Sequence, residues 1–323
     1  MDEFELIERY FRGAGAPRDD VLLGIGDDGA VLALPGRQVV VVDTLIGGRH
    51  FPDDAPAASV GHRALAVNLS DIAAMGAVPT HALLALTLPR AEPAWLDEFA
   101  AGLGALARRH GVALVGGDTT CGPLAITLTL LGRLPDGVEL RRSGAQIGDA
   151  VFVSGTPGDA AYGLRIAGGL TPHGLDPSCA AELRRRFEYP EPRVLLGPAL
   201  IGLATSCIDV SDGLGGDLAK VAAASGVAIE IDAARLPLSA ALRAAVPVEE
   251  AQRLALEGGD DYELAFTVPR AVAAQLPQRV AALAPVTEIG RVVAGSGVAL
   301  RQNGRVRPFT HRGFMHFSAG GGR

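Results

Sequence analysis

Residues 112–134 read VALVGGDTTCGPLAITLTLLGRL. The first run, VALVGGDTT (112–120), is apolar and ends on two glycines and the carboxylate of Asp118. After the CGP break, LAITLTLLGRL (124–134) alternates with a period of two, the pattern of a strand with one buried face. RQVVVVDT (37–44) repeats the strand-to-carboxylate design with Asp43, and HALLALTLP (81–89) reads as a further strand. Helical stretches lie between them. SVGHRALAVNLSDIAAM (59–75) is read as capped by Ser59, and a second helix opens at Pro93 and closes at Gly111. A short helix at 3–12 lines up Phe4, Leu6, Ile7, Tyr10 and Phe11. Composition shifts over 135–149, PDGVELRRSGAQIGD, and the alternation then resumes. Strands are expected at 150–155, 227–232, 258–268 and 286–301. Helices are expected after TPGDAAYGLRIAGG (156–169), near 193–204 and near 270–283; the polar, Pro-punctuated stretch 171–192 is left without one. Strands and helices alternate but include antiparallel-looking stretches. The expected fold class is therefore α+β: two α+β domains, 1–145 and 146–323, with mixed sheets packed against helices.

Composition narrows the function. The 323 residues carry 29 Lys and Arg against 36 Asp and Glu, a net charge of −7, which argues against binding nucleic acid by phosphate neutralisation. Hydrophobic residues make up 48% and charged residues 20%, a globular composition. No apolar run approaches the ~18–20 residues that cross a bilayer, and MDEFELIERY does not read as a signal peptide, so a cytoplasmic chain with no membrane partner is expected. Cys121, Cys179 and Cys207 are too few and too scattered for a disulfide framework or a zinc site. Lys220 is the only lysine and lies in LAKVAAASG, so neither a P-loop lysine nor a protein-kinase strand lysine exists.

The chemical signal is aspartate at glycine-rich strand ends. The set is Asp27 and Asp28 in GIGDDG, Asp43 in VVDT, Asp118 in GGDTT, Asp209 and Asp212 in DVSDG, and Asp260 and Asp261 in GGDDYE. Asp71 joins it from a helix, three residues after Asn68 and on the same face. Each alone is an ordinary turn or cap residue. Together they form an oxygen-donor set suited to Mg²⁺, which commonly bridges a few carboxylates to substrate phosphates. Convergent carboxylates also require cations, because two unit charges 4 Å apart repel by about 4 kcal/mol at an effective dielectric near 20.

GIGDD, ALAVNLSDIAAMGA, GGDTT, RSGA (142–145), SGTPGD, IDVSDGL and GGDDYEL occur in an order that resembles the thiamine-monophosphate kinase family. That family shares its superfamily with aminoimidazole ribonucleotide synthetase, selenophosphate synthetase and a hydrogenase maturation factor. The resemblance runs from FELIERYF to RGFMHF, essentially the whole chain. It implies ATP-dependent phosphorylation of thiamine monophosphate to thiamine diphosphate, with several Mg²⁺ ions and ATP as co-substrate. It also implies an N-terminal ATP- and Mg²⁺-binding domain that dimerises through its sheet, and a C-terminal domain that completes the active site. Carried over by motif, Asp28, Asp43, Asp71, Asp118, Asp209 and Asp212 are the expected metal ligands, with Asp27 a less certain neighbour. Gly117, Asp118, Arg142 and Ser211 are expected at the nucleotide. His50, Asp260 and Phe314 are expected at thiamine phosphate. Two departures stand out. Val41 and Val42 replace hydroxyl residues common before the strand-end aspartate, and GGDD replaces GGED. Alternatives within the superfamily are a weakened nucleotide-binding or regulatory member and a ligase resembling aminoimidazole ribonucleotide synthetase. Selenophosphate synthesis is disfavoured because residues 1–120 hold neither cysteine nor lysine.

Overall fold

The computed structural model describes residues 3–26, 29–135, 138–311 and 313. The chain divides into two compact units, Met1–Glu139 and Leu140–Arg323. Residues 140–145 go with the second unit: the Arg141 carbonyl accepts the Cys207 N–H at 2.7 Å, and Leu140 and Ala145 are buried.

The first unit opens with α1 (Glu3–Leu6), which runs into a π-helical turn, Ile7–Phe11, and a small antiparallel pair, β1 (Val21–Leu23) with β2 (Val31–Leu32). Its body is β3 (Gln38–Ile46), α2 (Ala57–Ala74), β4 (Val78–Leu88), α3 (Pro93–Arg109), β5 (Ala113–Cys121) and β6 (Ala125–Arg133). The sheet order is β3-β6-β4-β5; β4 and β5 are parallel and the other pairs antiparallel. The α3 crossover accounts for the one parallel pair, and the short CGP link accounts for β6 returning antiparallel. Leu84, Leu86, Ile126, Leu128 and Leu130 form a buried face. On β3 the alternate residues Val40 and Val42 are more than 60% exposed, so the other face meets solvent.

The second unit holds β7 (Ala150–Ser154), α4 (Asp159–Ala167), α5 (Pro177–Glu188), α6 (Leu196–Ala199), β8 (Ser206–Val210), α7 (Leu214–Ser225) and β9 (Ala228–Asp232). After a 3₁₀ turn at Ala233–Arg235 come α8 (Ala240–Ala245), α9 (Val248–Glu257), β10 (Glu263–Val268), α10 (Arg270–Ala273) and α11 (Leu276–Val280). The strand β11 (Val286–Val293) and the hairpin of β12 (Gly297–Gln302) with β13 (Arg305–Phe309) complete a seven-stranded sheet. Its order is β13-β12-β9-β11-β7-β10-β8, antiparallel except for β9 with β12. Every residue of β7, β8 and β10 is buried. Val151, Val153, Leu214, Leu218, Ile229 and Ile289 belong to one core. Both units are therefore α+β with mixed sheets.

Four local expectations need correction. Ser59 does not cap α2: the helix starts at Ala57 after Pro56, and the Ser59 hydroxyl donates back to the Pro56 carbonyl at 2.8 Å from inside the first turn. The stretch 171–192 contains α5, opened by Asp176, whose carboxylate accepts the Ser178 N–H, and by Pro177 at the first helical position. The helix expected near 193–204 reduces to four residues, Leu196–Ala199, and turns. That near 270–283 is two short pieces on either side of residues 274–275.

Helices α2 and α3 approach through glycine. A Cβ on Gly61 would lie 2.1 Å from the Phe99 carbonyl oxygen, and one on Gly102 would lie 2.0 Å from that of Ala58. Replacing Gly61 with Ala gains helix propensity of about 1 kcal/mol but forces two backbones apart, at about 1–3 kcal/mol or more. The expected outcome is a lower melting temperature for Gly61→Ala; an unchanged or higher one would show that the helices do not meet this closely.

Candidate functional site

In the first unit, Asp43, Asp71 and Asp118 are held on β3, α2 and β5. Asp43 shares its face of β3 with buried Val39 and Leu45 and is half-buried. Val42 points to the opposite, solvent face. Asp43 lies opposite Leu128, which lies opposite Leu84, which pairs with Gly117. Asp118 begins the next row, through Ala85 and Thr127 to Thr44. Asp43 and Asp118 are thus on the two edge strands, three strand spacings or roughly 14 Å apart. One ion cannot take both carboxylates of a single chain as direct ligands. Gly117 has φ 152°, and a Cβ there would sit 1.8 Å from the Leu84 oxygen, so the close strand approach alone demands glycine.

His50 follows β3 in a turn. Its Nδ1 accepts the Ile46 N–H at 2.9 Å, and its own N–H returns to the Ile46 carbonyl at 3.0 Å. With Nδ1 used as an acceptor, the neutral ring carries its proton on Nε2. Asp27, Asp28 and Phe314 lie outside the described residues.

In the second unit, two expected turns become neighbours because β8 pairs with β10. Val210 is opposite Glu263 and Asp209 opposite Leu264, so the DVSDG turn leaving β8 adjoins the GGDDY segment that enters β10. The Asp260 N–H donates to the Ser211 carbonyl at 2.9 Å, and the Tyr262 N–H to that of Val210 at 2.8 Å. The Asp217 carboxylate, wholly buried on α7, accepts the N–H groups of both Ser211 and Asp212 at 3.0 Å. Lys220 bridges Asp217 and Asp212 at 2.7 Å each. Burial alone would lower its pKa, but the two carboxylates hold the Lys220 ammonium above its ordinary value. Gly313 lies against the same turn, since a Cβ there would be 2.9 Å from the Cβ and the carbonyl oxygen of Asp212. Arg142 is exposed on a loop pinned by Ser225, whose hydroxyl accepts the Gly144 and Ala145 N–H groups and donates to the Arg142 carbonyl.

The GGDDY backbone is strained: Asp260 has φ 68° and Tyr262 φ 51°. Left-handed conformations at non-glycine residues cost about 1–3 kcal/mol and persist where the surroundings dictate them. Here each residue of the segment is tied. The Asp261 carboxylate accepts the Gly158 N–H at 2.8 Å and the Ala160 N–H at 3.4 Å at the start of α4, and its burial pushes its pKa well up. Glu263 is fully buried and receives the Arg193 guanidinium in a two-point grip, 2.6 Å on each oxygen, together with Arg186 at 2.7 Å and the Ser154 hydroxyl at 2.5 Å. Burial would raise the Glu263 carboxyl, but the two arginines hold it below its ordinary value. The Tyr262 hydroxyl donates to Asp260 Oδ1 at 3.1 Å. Asp260 lines a cavity of about 260 Å³ with Arg165, Arg253 and His311. Sequence reasoning did not assign roles to Tyr262, Glu263, Arg186, Arg193 or Asp217, and it used Lys220 only to exclude other kinases.

The donor chemistry of the exposed and half-buried aspartates fits a hard cation, and Lys220 on Asp212 shows the turn drawing positive charge. Among the described residues, no three His, Cys, Asp or Glu side chains converge as a finished metal site. No helix among them is long and apolar enough to cross a membrane.

Residues 26–134 match the family described as AIR synthase related protein, N-terminal domain, and residues 146–303 match its C-terminal domain. Thiamine-monophosphate kinase of Escherichia coli (strain K12) is 45% identical over 320 residues, 98% of each chain. The crystal structure of thiamine-monophosphate kinase from Stenotrophomonas maltophilia K279a is 46% identical, covers 93% of this chain and 96% of its own, and superposes with a TM-score of 0.85. A structure of AaThiL complexed with AMPPCP and TMP is 33% identical over 91% of this chain and 92% of its own, with a TM-score of 0.77. Alike in sequence over nearly its full length and alike in both domains, the chain belongs to the thiamine-monophosphate kinase family.

Proposed function

We propose that this protein transfers the γ-phosphoryl group of ATP to thiamine monophosphate, forming thiamine diphosphate by direct in-line displacement, in the cytoplasm. The observation that carries the reading is the β8–β10 pairing: it sets the Ser211–Asp212 turn, expected at nucleotide and metal, beside Asp260, expected at the second substrate. A phosphate monoester has a second pKa near 6 and is largely a dianion at pH 7. Its oxygen is already a nucleophile, so no general base is needed. The work left to the chain is to hold two polyanions in line. His50 contacts the thiamine phosphate. Arg142 and Ser211 bind the nucleotide, and the Ser225-pinned loop fixes the backbone that carries Arg142. Phe314 offers an aromatic face to thiamine. Several Mg²⁺ ions, which Asp28, Asp43, Asp71, Asp118, Asp209 and Asp212 would hold, would neutralise the phosphate charge.

The reading includes a homodimer formed through the N-terminal sheet. Val40 and Val42 are more than 60% exposed, and Ile46 and Leu83 add to the same uncovered apolar face. Contiguous apolar surface of this kind marks an interaction site.

Purified protein given ATP and Mg²⁺ should convert thiamine monophosphate to the diphosphate and leave thiamine untouched, as read by chromatography of the products. Turnover of thiamine itself, or none of the monophosphate, would overturn the assignment. Val42→Lys places a charge in the proposed interface. Sedimentation should show a dimer for the unaltered protein and a shift toward monomer for the variant; a monomeric starting protein would sink the dimer.

A further inference from the structure

We infer that Tyr262 is a positioning residue for substrate binding: its hydroxyl fixes the Asp260 carboxylate that faces thiamine phosphate. The inference rests on the reading of Asp260 as a substrate contact and adds the group that aims it.

Asp260, Tyr262 and Asn303 are the described non-glycine residues with positive φ. Asparagine and aspartate tolerate that region, whereas a tyrosine enters it only under constraint. The constraint is visible. The N–H of Tyr262 is held by Val210, the N–H of Asp260 by Ser211, and the intervening Asp261 by the backbone at the start of α4. The next residue, Glu263, is locked by Arg186 and Arg193. The anchors lie on β8 and the turn that leaves it, at the start of α4, on α5 and on the stretch beyond α5, and the segment has little freedom to relax. The left-handed turn swings the Tyr262 ring back over its own chain. The ring is buried, 7% exposed, and its hydroxyl reaches Oδ1 of the residue two positions earlier at 3.1 Å.

Packing alone does not require that oxygen, since a phenylalanine ring would fill the same space. The phenol makes a charge-assisted bond to one carboxylate oxygen, which selects one side-chain rotamer of Asp260. Asp260 lines the cavity shared with Arg165, Arg253 and His311. Aspartate at this place is a methylene shorter than glutamate, with one rotatable bond fewer, so there are fewer rotamers for the bond to select among.

The test is a double-mutant cycle on the full-length protein, with Tyr262→Phe, Asp260→Asn and the pair together. KM for thiamine monophosphate, KM for ATP, kcat and melting temperature are measured for each. The expected result is that Tyr262→Phe raises KM for thiamine monophosphate by about tenfold, the scale of one hydrogen bond to a charged group. KM for ATP should stay within about twofold, and the pair should be no worse than Asp260→Asn alone. Additive effects on that KM, or an unchanged KM in Tyr262→Phe while Asp260→Asn raises it, would overturn the role of Tyr262 and leave Asp260 as a contact. An unchanged KM in Asp260→Asn would instead remove Asp260 from the substrate site. Coupling seen in melting temperature but not in KM would make the bond structural and also overturn the inference.

Discussion

The burial of Glu263 constrains the second unit more than any other single fact. A carboxylate with no exposure to solvent is tolerable only if paired and fully hydrogen-bonded. Arg193 and Arg186 provide the charge and Ser154 the remaining bond. Breaking such a pair by removing one partner costs about 3–5 kcal/mol, because a bare charge is left inside. The pairing therefore decides where α5 and the stretch beyond it lie against β10. It also fixes the residue at which β10 begins. Everything immediately before that residue must then turn tightly, and the left-handed Asp260 and Tyr262 are the consequence. Strain at the site is thus set against interactions buried beneath it.

A second buried acid does the same for the adjoining turn. Asp217 lies wholly inside α7 and accepts two backbone N–H groups from Ser211 and Asp212. Its pKa is pushed up by burial, which Lys220 and the Asp212 N–H oppose. The only lysine of the chain is thereby committed to the turn rather than to reaching distant phosphates. The Asp260 N–H bonds to the Ser211 carbonyl, so a main-chain bond ties the two turns together. A substrate held on one turn and a nucleotide held on the other would keep their alignment through main-chain bonds, which do not depend on side-chain rotamers.

What could be read from the sequence follows the range of the signals. Period-two alternation at 124–134 and the apolar runs at 37–44 and 81–89 correspond to β6, β3 and β4, because strand burial is written locally. The α+β class followed from them. Helix α5 escaped because its buried stripe is only Leu183 and Phe187, set among Arg184, Arg185 and Arg186. Segment 236–257 carries no element in the sequence reading, although α8 and α9 lie there with Ala241, Leu242, Ala251 and Leu254 buried. The partners of Glu263 are 77 and 70 residues away, within or just beyond a stretch read as irregular, so no local pattern could announce them. The aspartate motifs were visible as motifs. Which of them stand side by side depends on the β8–β10 register, and which stand far apart depends on the β3-β6-β4-β5 order.

Strand alternation also decides how the two valines before Asp43 can act. Val39, Val41, Asp43 and Leu45 share the inner face of β3, while Val40, Val42 and Thr44 share the outer one. A hydroxyl that helped the Asp43 carboxylate hold a cation through its side chain would have to sit on the inner face, at position 41. Position 42 can offer only its carbonyl oxygen to such a cation, and valine supplies that as well as threonine does. Its side chain answers instead to whatever covers the outer face, where an apolar group gains about 25 cal/mol for each Å² removed from water. Valine at 42 is therefore compatible with an intact carboxylate site and favours a covered sheet. Only valine at 41 removes a side-chain oxygen from the face that Asp43 occupies.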